Sequence, residues 1–502
     1  MERPFETVII DDREFEFQCS IFPLVAEKAI KLTKSSIKTL IIEESIDHGW
    51  MVGDITIDNS QGIISSIISP TTPGSTVMSL FIRDVTSKDI CNPNVRNPDG
   101  WRIEGLFEIT ADCERIPDPY IRFKIVDYTY SAIKKINTGE ILKSKAGSGA
   151  PDISNIGMGM NPVASFGATP FAKNRLSDFN GRTGEILKKV FESRLEYEEG
   201  NTGNPYSAAK TGGKIMPPWD NGKYLFPQKP IEGDEKIFDT IKRVHNYHVP
   251  DIEEVDGNVY DASIFEVDRN GDIRLTPLST ILENANEYPQ SYVLELAFIG
   301  GRIGDASKES TNSKVKTDGN SLGDLGIITQ SKFNTQSLKY VNEIRRAMAQ
   351  MTLSVNPSSG IQEEIIEKFV DNIKDYYNEK FVKIYGENCK SSVAFPGVAD
   401  YSEQKIDNEY PNVSNPQILK DLYGGKIIKH LVLNGFTCEV KMRGSLHRTY
   451  GKILEIGTFD PTPKNDDRKK LGKWFVKSVK HEFIDDKYSN TLVCCKPYVT
   501  NI

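Results

Sequence analysis

Apolar and polar residues alternate most cleanly toward the two ends of the chain. In FTCEVKMRG, Phe436, Cys438, Val440 and Met442 fall on one face, and Thr437, Glu439, Lys441 and Arg443 on the other. That period of two predicts a strand with one buried and one wet side. The stretch from Lys426 to Tyr498 reads as strands throughout, in the order KIIKHLVL, FTCEVKMRG, SLHRTYGKILEIG, GKWFVKSVKHEF and SNTLVCCKPY. Asn434-Gly435 stands between the first two, where the positive φ that Asn-Gly tolerates predicts a hairpin turn. Near the start of the chain, Phe15, Phe17, Cys19 and Ile21 alternate with Glu14, Glu16, Gln18 and Ser20, and Trp101, Ile103, Phe107 and Ile109 share a face. Two β units at the two ends, each a small barrel or meander, are therefore expected.

The middle has a different texture. From Gly139 to Gly181 the chain is rich in Gly, Ser, Pro and Met, with Met158 and Met160 in a stretch that is either an adaptable contact surface or a linker. Helical spacing begins at Ile186, Leu187, Val190, Phe191 and Leu195 with Thr183 as N-cap, and returns from Asp234 through Ile237, Phe238, Ile241 and Val244. A hairpin is predicted across Asn270-Gly271. Two longer helices are expected, one through Leu338, Val341, Ile344, Met348 and Met351, the other from Ile361 to Phe381. A short helix opens at Pro416 and ends at Gly424.

The 502 residues exceed what one core supports, so several compact units are expected. The expected boundaries are 1–138 for the first β unit, 139–182 for the Gly/Ser/Pro-rich loop and 183–262 for a helical insertion. A hairpin and strand contributing to a β-barrel follow over 263–300, a polar loop over 301–331, a second helical insertion over 332–425 and the strands of the second β unit over 426–502.

Charge and chemistry narrow the function. With 62 Lys and Arg against 70 Asp and Glu, the net charge of −8 argues against a dedicated nucleic-acid binder. The seven cysteines include no C-x-x-C pair and read as reduced core residues. No apolar run reaches the ~20 residues of a membrane helix, and the acidic N-terminus does not suit a signal peptide. Asp268, Asn270 and Asp272 have the alternation of a calcium loop, but Ile273 stands where glycine is needed and Ser279 where a bidentate glutamate is needed. His245 and His248, three apart at a helix end, are the weak metal candidates; no third ligand is obvious nearby. Zincin and P-loop motifs are missing, and no catalytic residue and no cofactor is expected.

Read in order, three blocks resemble the central baseplate hub proteins of contractile-tailed bacteriophages, a family related to the base of type VI secretion spikes and to late-control phage tail proteins. They are IKTLIIEESIDHGWMVGDITIDN with WRIEGLFEIT and IRFKIVDYTYSAIKK; then GEILKKVFESRL, FDTIKRVHNYHVPDI and IFEVDRNGDIRLTPL; and finally the closing strands. In the last block the family-like barrel positions are Gly435, Phe436, Gly451, Trp474, Val476, His481 and Leu492. The resemblance implies an α+β, mainly β fold: two similar antiparallel tube-type β-barrels with helical insertions and long loops. It implies a homotrimer in the virion, at the tail baseplate, assembled in the host cytoplasm. Its partners would be a separate central spike protein, tail tube or tube-initiator proteins and other baseplate proteins. DNA would only pass through the lumen, and no stable membrane insertion is expected. A tail-associated cell-wall hydrolase and a receptor-binding tail protein are the alternatives.

Overall fold

The computed structural model describes residues 5–22, 29–60, 62, 76–85, 102–115, 119–135, 181–195, 198–199, 214–226, 235–252, 261–269, 271–283, 285, 292–294, 327–334, 350–355, 363–368, 390–394, 415–458 and 471–496. The first unit holds β1 (Glu6–Ile10), β2 (Arg13–Phe22), β3 (Ile30–Leu32), β4 (Ile37–Ser45), β5 (Val52–Asp58), β6 (Thr76–Asp84), β7 (Arg102–Arg115), β8 (Tyr120–Asp127) and helix α1 (Tyr128–Lys135). An inserted unit follows with α2 (Thr183–Leu195), β9 (Glu198–Glu199), β10 (Lys214–Trp219), α3 (Ile237–Asn246), β11 (Ser263–Val267), β12 (Ile273–Pro277) and α4 (Leu278–Glu283). Beyond it come β13 (Tyr292–Leu294), β14 (Ile327–Asn334), β15 (Gln350–Val355), β16 (Glu363–Lys368) and β17 (Lys390–Ala394). The chain finishes with α5 (Asn415–Asn434), β18 (Phe436–Arg443), β19 (Ile453–Thr458), β20 (Gly472–Ile484) and β21 (Lys487–Lys496).

The alternation at the N-terminal end does what its period requires. Phe15, Phe17, Cys19 and Ile21 are all buried on β2, and β6 lies opposite with Ile82 against Phe17 and Leu80 against Cys19. Pairing runs β1-β2-β6-β7-β8-β5-β4, each neighbour antiparallel. The second unit pairs β20-β19-β13-β14-β18-β21, and β21 pairs again with β20. Its core is Cys438, Val440, Met442, Leu454, Ile456, Trp474, Val476, Val479, Leu492 and Cys494.

One strand serves both units. The first residues of β20, Gly472–Phe475, pair with β19, while Ser478–Ile484 pair antiparallel with β4 of the first unit. The register of β20 against β21 shifts between Val476 and Ser478, where the change of partner occurs; an irregularity of this kind bends a strand and raises its twist. Past it, Phe483 and Tyr488 stack at 4.1 Å and enter the core of the first unit, with Phe15 edge-on to both. The expected mainly β fold is present, and one 14-stranded, mostly antiparallel sheet runs through both units. The first unit is open: no pairing joins β1 to β4 among the described residues. In the second, β13 lies parallel to both β14 and β19.

Several boundaries also shift. The hairpin β11–β12 forms as expected, but it joins β10 and β9 in a separate four-stranded sheet; among the described residues of the 263–300 segment, only β13 enters the large one. That smaller sheet and helices α2 and α3 share a core of Ile186, Leu187, Val190, Phe191, Ile237, Val244, Ile273 and Leu275. Residues Ile327–Ser331, read as polar loop, begin β14. The helix expected from Ile361 is a strand at Glu363–Lys368, antiparallel to β15 with Ile365 opposite Leu353. Adjacent β-branched Ile365 and Ile366 fit a pleated ladder better than a helix. The segments 335–349, 369–389 and 139–180 lie outside the described residues, as do Met158, Met160 and Asn270.

The largest correction is KIIKHLVL, which is the second half of helix α5 and not a strand. Ile427 and Leu431, and Ile428 and Val432, stand four apart, a spacing that suits a helix face as well as the β-branching of Ile427, Ile428 and Val432 suits a strand. Asn434-Gly435 is accordingly the passage from helix to β18, not a hairpin. The helix does not stop at Gly424 either. It runs on to Asn434, with Gly425 against the Asp261 carbonyl, where an added Cβ would sit 2.2 Å from the oxygen.

Gly425→Ala is expected to lower stability by about 1–2 kcal/mol, because overpacking of about 1–3 kcal/mol outweighs the gain of roughly 1 kcal/mol in helix propensity. Urea unfolding checks it. An unchanged or higher midpoint would mean that α5 and Asp261 are not in contact.

Candidate functional site

The polar residues of most consequence sit where the two β units and the inserted hairpin meet. On β4, Leu40 and Ile42 point inward, and the next inward position is Glu44, 3% exposed. An ionised carboxylate there needs a partner, since stripping its water costs several kcal/mol. Arg269 supplies it from the β11–β12 turn. That turn is braced by Asp268 N–H to the Asp272 carbonyl at 2.9 Å and Gly271 N–H to the Asp268 carbonyl at 2.9 Å. Arg269 donates Nε–H to Glu44 Oε1 at 2.8 Å, Nη1–H to the carbonyls of Leu446 (2.5 Å) and Arg102 (3.2 Å), and Nη2–H to the Arg448 carbonyl at 2.8 Å. One guanidinium thus touches β4, β7 and the 444–451 loop that precedes β19.

His481, inward on β20 between Val479 and Phe483, completes the cluster. The Asn490 amide fixes its tautomer. Asn490 Oδ1 accepts from Ser445 N–H (2.7 Å) and Arg448 Nη1–H (2.8 Å), so its Nδ2–H points at His481 Nδ1, 2.9 Å away. Tyr488 O–H lies 2.7 Å from the same nitrogen. Nδ1 is therefore the acceptor, and Nε2–H faces Glu44 Oε1 at 3.1 Å, with Arg269 Nη2 3.2 Å from the same nitrogen. Burial, then the charges of Arg269 and Arg448, push the His481 pKa down against the pull of Glu44. For Glu44, burial opposes ionisation, but Arg269 and the His481 hydrogen bond outweigh it and hold the carboxyl below its usual range. A neutral imidazole beside an ionised carboxylate is consistent with both directions.

The network extends into the first unit. Arg13, at an inward position of β2, donates to Asp84 Oδ2 (3.2 Å) and to the Gly444 carbonyl (2.6 Å). Gly444 has no room for a side chain: a Cβ there would lie 2.3 Å from the Tyr488 ring. His447, bonded through Nδ1 to Ser445 Oγ at 2.5 Å, is held well below the usual imidazole range by burial and by Arg448.

A second cluster lies in the inserted unit. Thr183 Oγ1 is 2.7 Å from His248 Nδ1, His248 Nε2 is 3.0 Å from Asp220 Oδ2, and Ser263 Oγ donates to that same oxygen at 2.7 Å. Hydroxyl, imidazole and carboxylate are the components of nucleophilic catalysis, yet Thr183 is 1% exposed and Ser263 3%, so neither hydroxyl meets solvent. Thr183 is not the N-cap of α2; its hydroxyl is spent on His248. Glu185 reaches back to the Arg182 N–H at 3.1 Å instead.

The metal candidates His245 and His248 stack with ring centroids 6.2 Å apart. Both nitrogens of His248 are engaged, and His245 Nε2 lies 3.1 Å from the Ser263 carbonyl. Among the described residues no cluster of His, Cys, Asp or Glu suited to a metal occurs. Of the family-like positions, Trp474, Val476 and Leu492 are in the second core and Phe436 packs against it. Gly435 joins α5 to β18, and Gly451, at φ +78°, donates its N–H to the Val476 carbonyl at 2.9 Å. His481 alone enters the polar junction. Sequence reading passed over Glu44, Arg13, Asp84, Arg269, Arg448 and Asn490.

No protein-family model matches the chain, and no curated protein matches it in sequence. Solved structures similar to it include phage tail proteins. A 43 kDa tail protein of prophage MuSo2 from Shewanella oneidensis is 9% identical, with 96% of this chain and 98% of that one covered and a TM-score of 0.42. A tail protein from Neisseria meningitidis MC58 is 8% identical, with 97% of each chain covered and a TM-score of 0.44. Prophage tail protein gp18 from Listeria monocytogenes EGD-e is 8% identical, with 95% and 94% covered and a TM-score of 0.41.

Arg269→Met strands Glu44 in its buried site and is expected to cost about 3–5 kcal/mol in urea unfolding, with Glu44→Gln in the same chain recovering part of the loss. Additive single losses would show that the two side chains are not coupled.

The depressed pKa of His481 gives a second expectation. Its folded value lies below the ordinary ~6.5, so the unfolded chain takes up a proton first as pH falls. Stability from this group is present above about 6.5 and lost on acidification. His481→Gln, whatever its midpoint at pH 7, should lose less thermal stability than the parent between about pH 7 and 5.5. Equal slopes would reject a neutral buried His481.

Proposed function

We propose that this chain is a structural subunit of the central hub of a bacteriophage tail baseplate. In this reading three copies form a ring that adapts a sixfold tail tube to a trimeric spike carried on a separate protein. The ring offers a passage through which the genome moves without being held. The observation that carries it is the seam along β4 and β20, which sets two β units side by side in one sheet within one chain. Three such chains present six β units around an axis, which is the count a sixfold tube needs. We read the strand circuit of the second unit as one tube-type barrel and the open sheet of the first as its counterpart. The order of the three sequence blocks that resemble hub proteins supports the same assignment.

A structural role also suits the polar groups. The charged residues of the junction bond one another and backbone carbonyls, and the hydroxyl, imidazole and carboxylate of Thr183, His248 and Asp220 are packed away from solvent. The partners proposed are the spike, the tube or its initiator and neighbouring baseplate proteins, with the virion tail as the location.

Native mass spectrometry of the full chain tests this. The expected species is a complex of three 56.3 kDa chains that takes up a trimeric candidate spike as one unit. A stable monomer indifferent to spike and tube proteins would overturn the assignment.

A further inference from the structure

The outer face of the first unit carries an apolar patch at its edge. Among the described residues β1 pairs only with β2, and it begins the strand order of the large sheet. Val8 and Ile10 of β1 turn into the core, so Phe5, Thr7 and Ile9 fall on the other side. Ile9 is 72% exposed, more than any other large apolar side chain among the described residues. Phe5 stacks on Phe81 of β6 at 4.5 Å on that same face. An edge strand that offers an isoleucine to water invites association unless something covers it. The rim of the patch is acidic: Glu14 lies opposite Ile9 in the register and Asp12 sits in the β1–β2 turn, both exposed. Neither forms an ion pair among the described residues, whereas the neighbouring Glu16 is bridged to Arg83 at 2.5 Å.

The opposite charge stands on the second unit. Lys426, Lys429 and His430 occupy positions i, i+3 and i+4 of α5 and so share one face. His430 Nδ1 lies 3.1 Å from Asn434 Nδ2, and Lys477 Nζ donates to Asn434 Oδ1 at 2.9 Å, which extends the stripe onto β20. Asp47 answers Lys477 at 2.9 Å, but no ion pair holds Lys426 or Lys429 among the described residues. The other side of α5 is committed to the fold, with Val432 and Leu433 packed beside Phe475 and Cys495.

We propose that the patch of Phe5, Ile9 and Phe81, with its acidic rim, is the surface on which one copy of this chain receives the α5 stripe of the next. The contact rests on the ring proposed above and names the two surfaces that close it. Self-pairing of either patch about a twofold axis would set like charges against each other, which disfavours a symmetric dimer. A ring of three needs the alternative, a heterologous interface made from two different patches on each chain. Where β units alternate around the ring, the second unit of one copy must meet the first unit of its neighbour, and the two patches lie one on each. The methylene stems of Lys426 and Lys429 can cover Ile9 while their ammonium groups reach Asp12 and Glu14 at the rim.

The test is sedimentation velocity of the full chain beside three charge variants: Asp12→Lys with Glu14→Lys, Lys426→Glu with Lys429→Glu, and all four substitutions together. Thermal midpoints equal to the parent's confirm that each variant is folded. The parent is expected to form trimers that weaken as salt is added. Each reversal alone should raise the concentration needed for assembly by at least about tenfold, and the four substitutions together should bring it back toward the parent. Folded reversals that assemble as the parent does, or a folded combined variant no better than either reversal, would overturn the proposed contact while leaving the ring itself intact. A parent that stays monomeric would overturn the ring, and the contact with it.

Discussion

The carboxylate of Glu44, buried at the seam of two β units, constrains everything packed around it. Left alone it would protonate or pull water inward. Arg269 prevents both, and it does so from a hairpin belonging to a third unit. The guanidinium also caps the carbonyls of Arg102, Leu446 and Arg448, groups that would otherwise be desolvated without partners. Moving the inserted unit off the seam would expose one charge and unbind several carbonyls at once. A buried ion pair is weak grounds for added stability, since an apolar pair of similar volume often does as well. Its effect here is positional: it permits one arrangement of the units and penalises others.

His481 carries that specification into β20. A protonated imidazole would place a third cation beside Arg269 and Arg448, whereas the neutral ring gives one donor to Glu44 and one acceptor to Tyr488 and Asn490. Tyr488 is thereby held in its stack with Phe483, and that stack is part of the first unit's core. The same strand, a few residues earlier, contributes Trp474 and Val476 to the second core. A single strand that changes partner at one irregularity leaves no flexible linker between the units at this point. Relative motion of the two along β20 would have to break the pairing of Ser478–Ile484 with β4.

Much of this was written in the sequence, and the junction could have been found there. Alternation identified β2, β7 and β18 and their inward faces, and Asn270-Gly271 marked the β11–β12 hairpin. The missed signal was the interruption of that same alternation. Glu44 follows Leu40 and Ile42, Asp84 follows Leu80 and Ile82, His481 stands between Val479 and Phe483, and Asn490 between Tyr488 and Leu492. Each is a polar side chain at a position where the period of two demands an apolar one. Which of them meet was not legible, because Arg13 and Asp84, or Glu44 and Arg269, are distant in sequence. The helix α5 was misread for another reason: Ile427, Ile428, Leu431 and Val432 satisfy a helical spacing, while their composition and the Asn-Gly after them favour a strand.

Perturbed ionisation is often a mark of catalysis, and here it argues for architecture instead. His447, His481 and Glu44 all depart from their ordinary pKa values. The inference to a functional site requires a cleft as well as a shift. These groups are sealed, each faces a protein partner, and the desolvation that moves their pKa values also bars a substrate from reaching them. Thr183, His248 and Asp220 make the point more sharply, since their order is that of an activated nucleophile while the hydroxyl has no exposed surface to attack from. Groups that cannot be reached can still set geometry. A protein whose charges are spent on holding its own strands in one relative position is suited to be a fixed part of a larger assembly, and that physical property links the buried junction to the proposed role in a tail.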